Sequence, residues 1–137
     1  MARSSPIPEQ IEVAELLAGK ATGDLLVAQK LAPDPEIDDD PIGFHAQQAV
    51  EKALKVALTL SGIDFPKTHD LDFLLALANR NEIELPAELA QVGWLTPWAA
   101  EFRYDDAPME SLDRKRATSI AEFAVDWCRE LLSEIAV

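Results

Sequence analysis

The sequence predicts an all-α protein, an up-and-down antiparallel helical bundle of about five helices. Three observations predict it. Apolar residues recur at three- and four-residue spacing through long segments. Hydrophobic residues make up 48% of the chain, with only 5 Gly among 137 residues. No stretch alternates strictly between apolar and polar residues within turn signals, as a half-buried strand would. A chain of this length buries one core rather than two, so residues 1–137 are read as a single domain.

The first helix is expected over residues 11–31. Leu16, Leu17, Leu25, Leu26 and Leu31, with Ala14, Ala18, Ala21 and Ala28 between them, are read as one broad apolar face, weakened in its middle by Gly19 and Gly23. Pro33 and Pro35 end it. The next loop holds Asp34, Glu36, Asp38, Asp39 and Asp40, whose mutual repulsion favours solvent. It lacks the Gly-containing, Glu-terminated spacing of a calcium loop and is read as solvated rather than metal-binding.

A second helix should start at Asp40 as N-cap with Pro41 at its first position, and run to residue 60 or 61 before Gly62. A short third helix covers 70–79, entered through Thr68 and His69. Pro86 opens a fourth over 87–102, which Gly93 and Pro97 should kink or split into two short pieces. The last helix, 111–135, carries Ala117, Ile120, Ala121, Ala124, Cys128, Leu131, Leu132 and Ile135 along one buried stripe.

Composition excludes several function classes. A formal charge of -13 opposes sequence-blind binding to nucleic acid, although Lys52, Lys55, Lys67, Arg103, Arg114, Lys115 and Arg116 concentrate scarce positive charge between positions 52 and 116. The single Cys128 rules out an internal disulfide and a multi-thiolate metal site. With no apolar run fit for a signal peptide or a membrane span, the expected location is the cytoplasm. No Gly-rich strand-to-helix turn supports a dinucleotide or Walker-type fold, and no metal or cofactor is expected.

Three constellations could carry chemistry. On the second helix, His45, Gln48, Lys52 and Lys55 fall along one narrow polar stripe. Ala46, Ala49, Ala53 and Ala57 form a small-residue track beside it, and Phe44, Val50, Leu54 and Leu58 are expected to supply core bulk. The stripe reads either as internal hydrogen bonding with a Glu51–Lys55 ion pair, or as a site where His45 and Lys52 hold a phosphate or a partner's carboxylate. Thr68-His69-Asp70-Leu71 is a helix entry, where capping competes with anion binding. Arg103 and Tyr104, near Trp94 and Trp98, suggest either ion pairing with Asp105 and Asp106 or an aromatic, cationic pocket for a base or partner. Arg114, Lys115 and Arg116 open the last helix, where positive charge opposes the helix dipole.

Together these residues resemble the HEPN family, helical domains of prokaryotes and higher eukaryotes that often accompany small nucleotidyltransferases. Residues 21–28, Ala-Thr-Gly-Asp-Leu-Leu-Val-Ala, look like that family's opening helix, and residues 44–55 look like its most distinctive segment. Thr68-His69-Asp70-Leu71, and the run from Leu95-Thr96-Pro97-Trp98-Ala99 to Phe102-Arg103-Tyr104, are similar to its later landmarks, in the same order. The resemblance implies an antiparallel bundle that commonly dimerises. It also implies one of two activities: a metal-independent ribonuclease toxin, built on an Arg followed four to six residues later by a His, or a non-catalytic binding module.

The chain departs from the ribonuclease pattern where it matters. Tyr104-Asp105-Asp106-Ala107-Pro108-Met109-Glu110 follows Arg103, and no His occurs beyond His69. Such a reaction needs an acid or base at the ribose hydroxyl and the leaving oxygen, so half of the pair is missing. Nor does Asp38-Asp39-Asp40 have the Gly-Ser turn of a nucleotidyltransferase. The expectation is a homodimeric binding subunit that partners a separate nucleotidyltransferase, with a nucleotide-phosphate or partner surface at His45, Gln48, Lys52, His69, Arg103 and Tyr104, and with RNA as a further ligand class. The alternative is the ribonuclease toxin of a toxin–antitoxin pair with a rearranged site.

Overall fold

A computed structural model describes residues 5–99 and 111–135. Four α-helices, α1 (Pro8–Leu31), α2 (Asp39–Leu60), α3 (Leu71–Arg80) and α4 (Arg114–Ile135), and two 3-10 helices, Ala87–Leu89 and Val92–Trp98, account for the regular structure. Among the described residues there is no strand, and the all-helical bundle expected from the periodicity is what forms. No described helix is long and apolar enough to cross a membrane.

α2 is the central element, because its apolar residues surround most of its circumference. Ile42, Ala46, Ala49, Val50, Ala53, Leu54, Val56 and Leu58 are all buried, and α1, α3, α4 and the second 3-10 helix pack around them. Each fully buried aliphatic side chain of leucine size contributes about 1.5–3 kcal/mol. Side-chain contacts fix the directions. Gln10 near the start of α1 lies beside Gly62 past the end of α2, and Asp24 further along α1 meets His45 nearer the start of α2, so α1 and α2 run antiparallel. Leu112, just before α4, donates its N–H to Asp39 at the start of α2, so α4 runs alongside α2 in the same direction.

α1 buries Ala14, Ala18, Ala21 and Ala28 with Leu25, and α2 buries Ala46, Ala49, Ala53 and Ala57; short side chains let neighbouring backbones approach closely. One expectation is corrected here: Leu16 and Leu26 are not part of the buried face but point to solvent, because α1 carries apolar residues on two opposite sides. Phe44 likewise is only half-buried and packs edge-on against His45, 5.2 Å between ring centres, rather than filling the core.

Helix boundaries follow local chemistry. α2 begins one residue before the expected cap, with Asp38 at the N-cap and Pro41 inside the first turn, where a missing N–H costs nothing. It ends in a Schellman turn: Gly62 takes φ 71°, and Ile63 N–H reaches Leu58 O at 2.9 Å. α3 ends in the same way, with Glu82 in the left-handed position at φ 60° and Ile83 N–H on Ala78 O at 3.0 Å. In the described part of the segment expected over 87–102, residues 87–99, two short pieces do form, but as 3-10 helices divided between Leu89 and Val92 rather than at Gly93, with Pro97 inside the second.

Arg114 closes the bundle. Its Nε donates to Asp39 at 2.8 Å, its Nη1 to the carbonyls of Ala32 and Asp34 at 3.0 Å, and its Nη2 to the carbonyl of Ile37. Two of the three basic residues at the start of α4 thus have internal partners: Arg114 satisfies carbonyls of the acidic turn, while Arg116 stacks over Trp94, 4.2 Å from its ring centre.

Candidate functional site

The polar stripe of α2 is flanked on one side by α1 and on the other by the entry to α3, and each flank contributes a carboxylate–histidine pair. On the α1 side Asp24 bridges two stripe residues. One of its oxygens accepts from His45 Nδ1 at 2.9 Å and the other pairs with Lys52 Nζ. Asp24 is largely buried, whereas His45 and Lys52 retain 29% and 20% of their side-chain exposure and form the rim. An Asp between two donors on a neighbouring helix holds both at defined positions, and it also ties α1 to α2.

On the other flank the focus is Glu51, only 3% exposed. Its Oε1 accepts from His69 Nδ1 at 2.6 Å, from Gln47 Nε2 at 3.1 Å and from Gln48 Nε2 at 3.2 Å, and its Oε2 takes Lys55 Nζ at 2.9 Å. A buried carboxylate is tolerated when its lone pairs are filled by charged or polar donors, and here every side chain around it donates. The short Glu51 contact assigns the His69 proton to Nδ1, so the 3.5 Å approach of Gln48 Nε2 to that nitrogen is proximity rather than a second hydrogen bond. Gln47 also donates to the His69 backbone carbonyl at 2.9 Å and accepts from Gln48 at 2.7 Å, which fixes the loop before α3 onto α2. Lys55 lies 5.6 Å from the ring centre of Phe65, a residue of the same loop.

The α3 entry is organised by capping, as one of its two readings holds. Asp70 accepts from Phe73 N–H at 3.3 Å, Thr68 Oγ1 accepts from Asp70 N–H at 3.1 Å, and Thr96 Oγ1 takes Leu71 N–H at 3.1 Å. Two of the first N–H groups of α3 are thus already satisfied by side chains.

Of the expected site residues, His45, Gln48, Lys52 and His69 therefore gather along one stretch of α2 and its two flanks. Arg103 and Tyr104 lie outside the described residues. Asp24 and Glu51, which organise the whole arrangement, were not among the expected site residues. For Glu51 a signal exists in the sequence: an acidic residue with Gln four before it and Lys four after it, amid Ala49, Val50, Ala53 and Leu54. Asp24 offers none, since one more acid in an acidic chain reads as solvated. Among the described residues no group of three or more His, Cys, Asp or Glu side chains is placed to hold a metal ion.

Chemically the stripe offers oriented imidazoles and two ammonium groups, all poised by carboxylates. Lys52 and His45 form the partly solvated rim over a largely buried Asp24. Glu51 with Gln47 and Gln48, by contrast, forms a buried scaffold from which the His69 ring emerges, 34% exposed.

A family model described as the HEPN domain matches residues 14–131. No curated protein and no solved structure matches the chain.

Proposed function

The chain belongs to the HEPN domain family, and from that premise we propose that it is a binding subunit: a homodimer that associates with a separate small nucleotidyltransferase in the cytoplasm and receives a nucleotide phosphate, or an acidic group of that partner, on the polar stripe of α2. Membership supports a nucleotide- or RNA-related, or toxin–antitoxin, role in general terms. The observation that carries the specific reading is the rim formed by His45 and Lys52 over Asp24, two donors held side by side and partly exposed in an otherwise acidic protein. Lys52 would meet phosphate, His45 and Gln48 would hydrogen-bond, and Arg103 and Tyr104 would complete the surface by charge and stacking, as the resemblance implies.

Binding is favoured over catalysis because no histidine follows Arg103 at the spacing of the ribonuclease pair; the only two, His45 and His69, precede it, and each is engaged by a carboxylate through Nδ1. The same geometry motivates the second reading. An imidazole oriented by a carboxylate is also how a general base is prepared, so a ribonuclease toxin would use Glu51–His69 with Arg103 on the phosphate.

Titration of the full chain with ATP and with a short single-stranded RNA, beside a metal-free RNA cleavage assay, separates the readings. The binding reading expects Lys52→Ala and Arg103→Ala to weaken nucleotide binding about tenfold, roughly 1.4 kcal/mol, with Lys115→Ala unchanged and no RNA cleaved. Cleavage that disappears in Arg103→Ala establishes the ribonuclease instead. Absence of nucleotide binding, with no nucleotidyltransferase co-purifying, removes the proposal.

A further inference from the structure

α1 has a second face that the bundle does not use. Opposite its buried alanines it presents Glu12, Leu16, Gly19, Gly23, Leu26 and Lys30, spaced four, three, four, three and four residues apart. At 100° per residue these six fall within a sector about 80° wide, the seam spacing of a coiled coil. Leu16 is 61% exposed and Leu26 53%, the two most exposed leucines of the helix. A Cβ built on Gly19 or Gly23 meets nothing within 4 Å, and neither glycine has a positive φ, so this chain's own packing and backbone require neither. Glu12 and Lys30 are exposed and form no ion pair among the described residues.

The order of the six is acid, leucine, glycine, glycine, leucine, base, and it reads as complementary about a centre at position 21. A two-fold axis across the helix at that point sets Leu16 level with Leu26 of a second copy, Gly19 with Gly23, and Glu12 with Lys30. Apolar area then meets apolar area, the missing side chains let the helices approach at the middle, and opposite charges meet at both ends. Parallel pairing would instead oppose Glu12 to Glu12 and Lys30 to Lys30, a repulsion at each end. We propose that this face of α1 is the seam of an antiparallel, two-fold homodimer. The inference deepens the pairing proposed above and rests on it for stoichiometry alone. Asp24 lies about 120° round the helix from the seam, so the polar stripe stays open in the pair and the two interactions are separable.

Sedimentation equilibrium on the full chain tests it, with helicity by circular dichroism confirming that each variant folds. Wild type is expected to be a dimer. Leu16→Glu, and Glu12→Lys alone, should each raise the dissociation constant at least about tenfold. The double variant Glu12→Lys/Lys30→Glu should recover the wild-type value, because both end pairs keep opposite signs with the order reversed. Leu16→Cys/Leu26→Cys should form an intermolecular disulfide on oxidation, undisturbed by Cys128, which is fully buried. A wild-type monomer up to about 1 mM overturns the seam and the pairing together. A dimer whose mass ignores all of these substitutions, with no cross-link, overturns the seam and leaves the pairing to another face. Nucleotide binding retained by the Leu16→Glu monomer shows the stripe acting independently of the seam.

Discussion

Gly43 of α2 lies directly beneath the indole of Trp98: a Cβ built there would stand 2.5 Å from ring atom Cε3 and 2.8 Å from Cγ. The ring belongs to the second 3-10 helix and is only 6% exposed, so it cannot swing away without leaving the core. Gly43→Ala is expected to destabilise the fold by about 1–3 kcal/mol, seen as a lower denaturant midpoint. In a Trp98→Ala background the same change should stabilise by about 1 kcal/mol, because only helix propensity then remains. A destabilising effect in both backgrounds would show that Trp98 is not what requires the glycine.

Glu51 is the shared acceptor of four side chains. Glu51→Ala leaves Lys55, His69 and two glutamine amides facing a buried gap, with an expected cost of about 2–4 kcal/mol by chemical denaturation. The loss in the double variant Glu51→Ala/His69→Ala should be less than the sum of the two single losses, since both remove the same 2.6 Å contact. A nitrogen–proton NMR correlation of the imidazole should place the His69 proton on Nδ1; a proton on Nε2 would contradict the assignment.

Burial pushes the Cys128 thiol up to about 11 from its ordinary 9.0. In the unfolded chain the thiol ionises near 9, while in the folded protein it stays protonated until about 11, so the folded state binds more protons in between and stability falls as pH rises through that window. The loss attributable to this group is on the order of 2 kcal/mol. It is read as the difference in pH dependence between wild type and Cys128→Ala above pH 9. Equal slopes for the two proteins would refute it.

Much of the architecture is legible in the sequence because its punctuation is local. Asp and Pro before residue 42, Gly62 after residue 60 and the Thr-His-Asp entry at 68–70 each mark an end by chemistry that operates within a few residues. What is not legible depends on a choice between equivalent faces. α1 is apolar on two sides, and periodicity alone cannot say that Ala14, Ala18 and Ala21 turn inward while Leu16 and Leu26 turn out. The stripe residues His45, Gln48 and Lys52 are found by helical spacing, but Asp24 is joined to them only through antiparallel packing, which brings positions 21 and 28 residues apart into contact. The 3-10 conformation of Val92–Trp98 also escapes spacing, since Gly93 and Pro97 signal a break without specifying its geometry.

The four acceptors of Arg114 lie 75 to 82 residues upstream of it, in the turn between α1 and α2. That turn makes three hydrogen bonds of its own: Asp34 N–H on Leu31 O, Ile37 N–H on Asp34 O, and Glu36 N–H on the Asp34 carboxylate. The rest of its order is borrowed from the far end of the chain. During synthesis or refolding, α1 and α2 can zip together as a local hairpin of helices while the carbonyls of the acidic turn between them still face water. Protection at Leu112, whose N–H is held by the Asp39 carboxylate, then arrives only when α4 docks, which makes that one amide a clock for the closing step of folding.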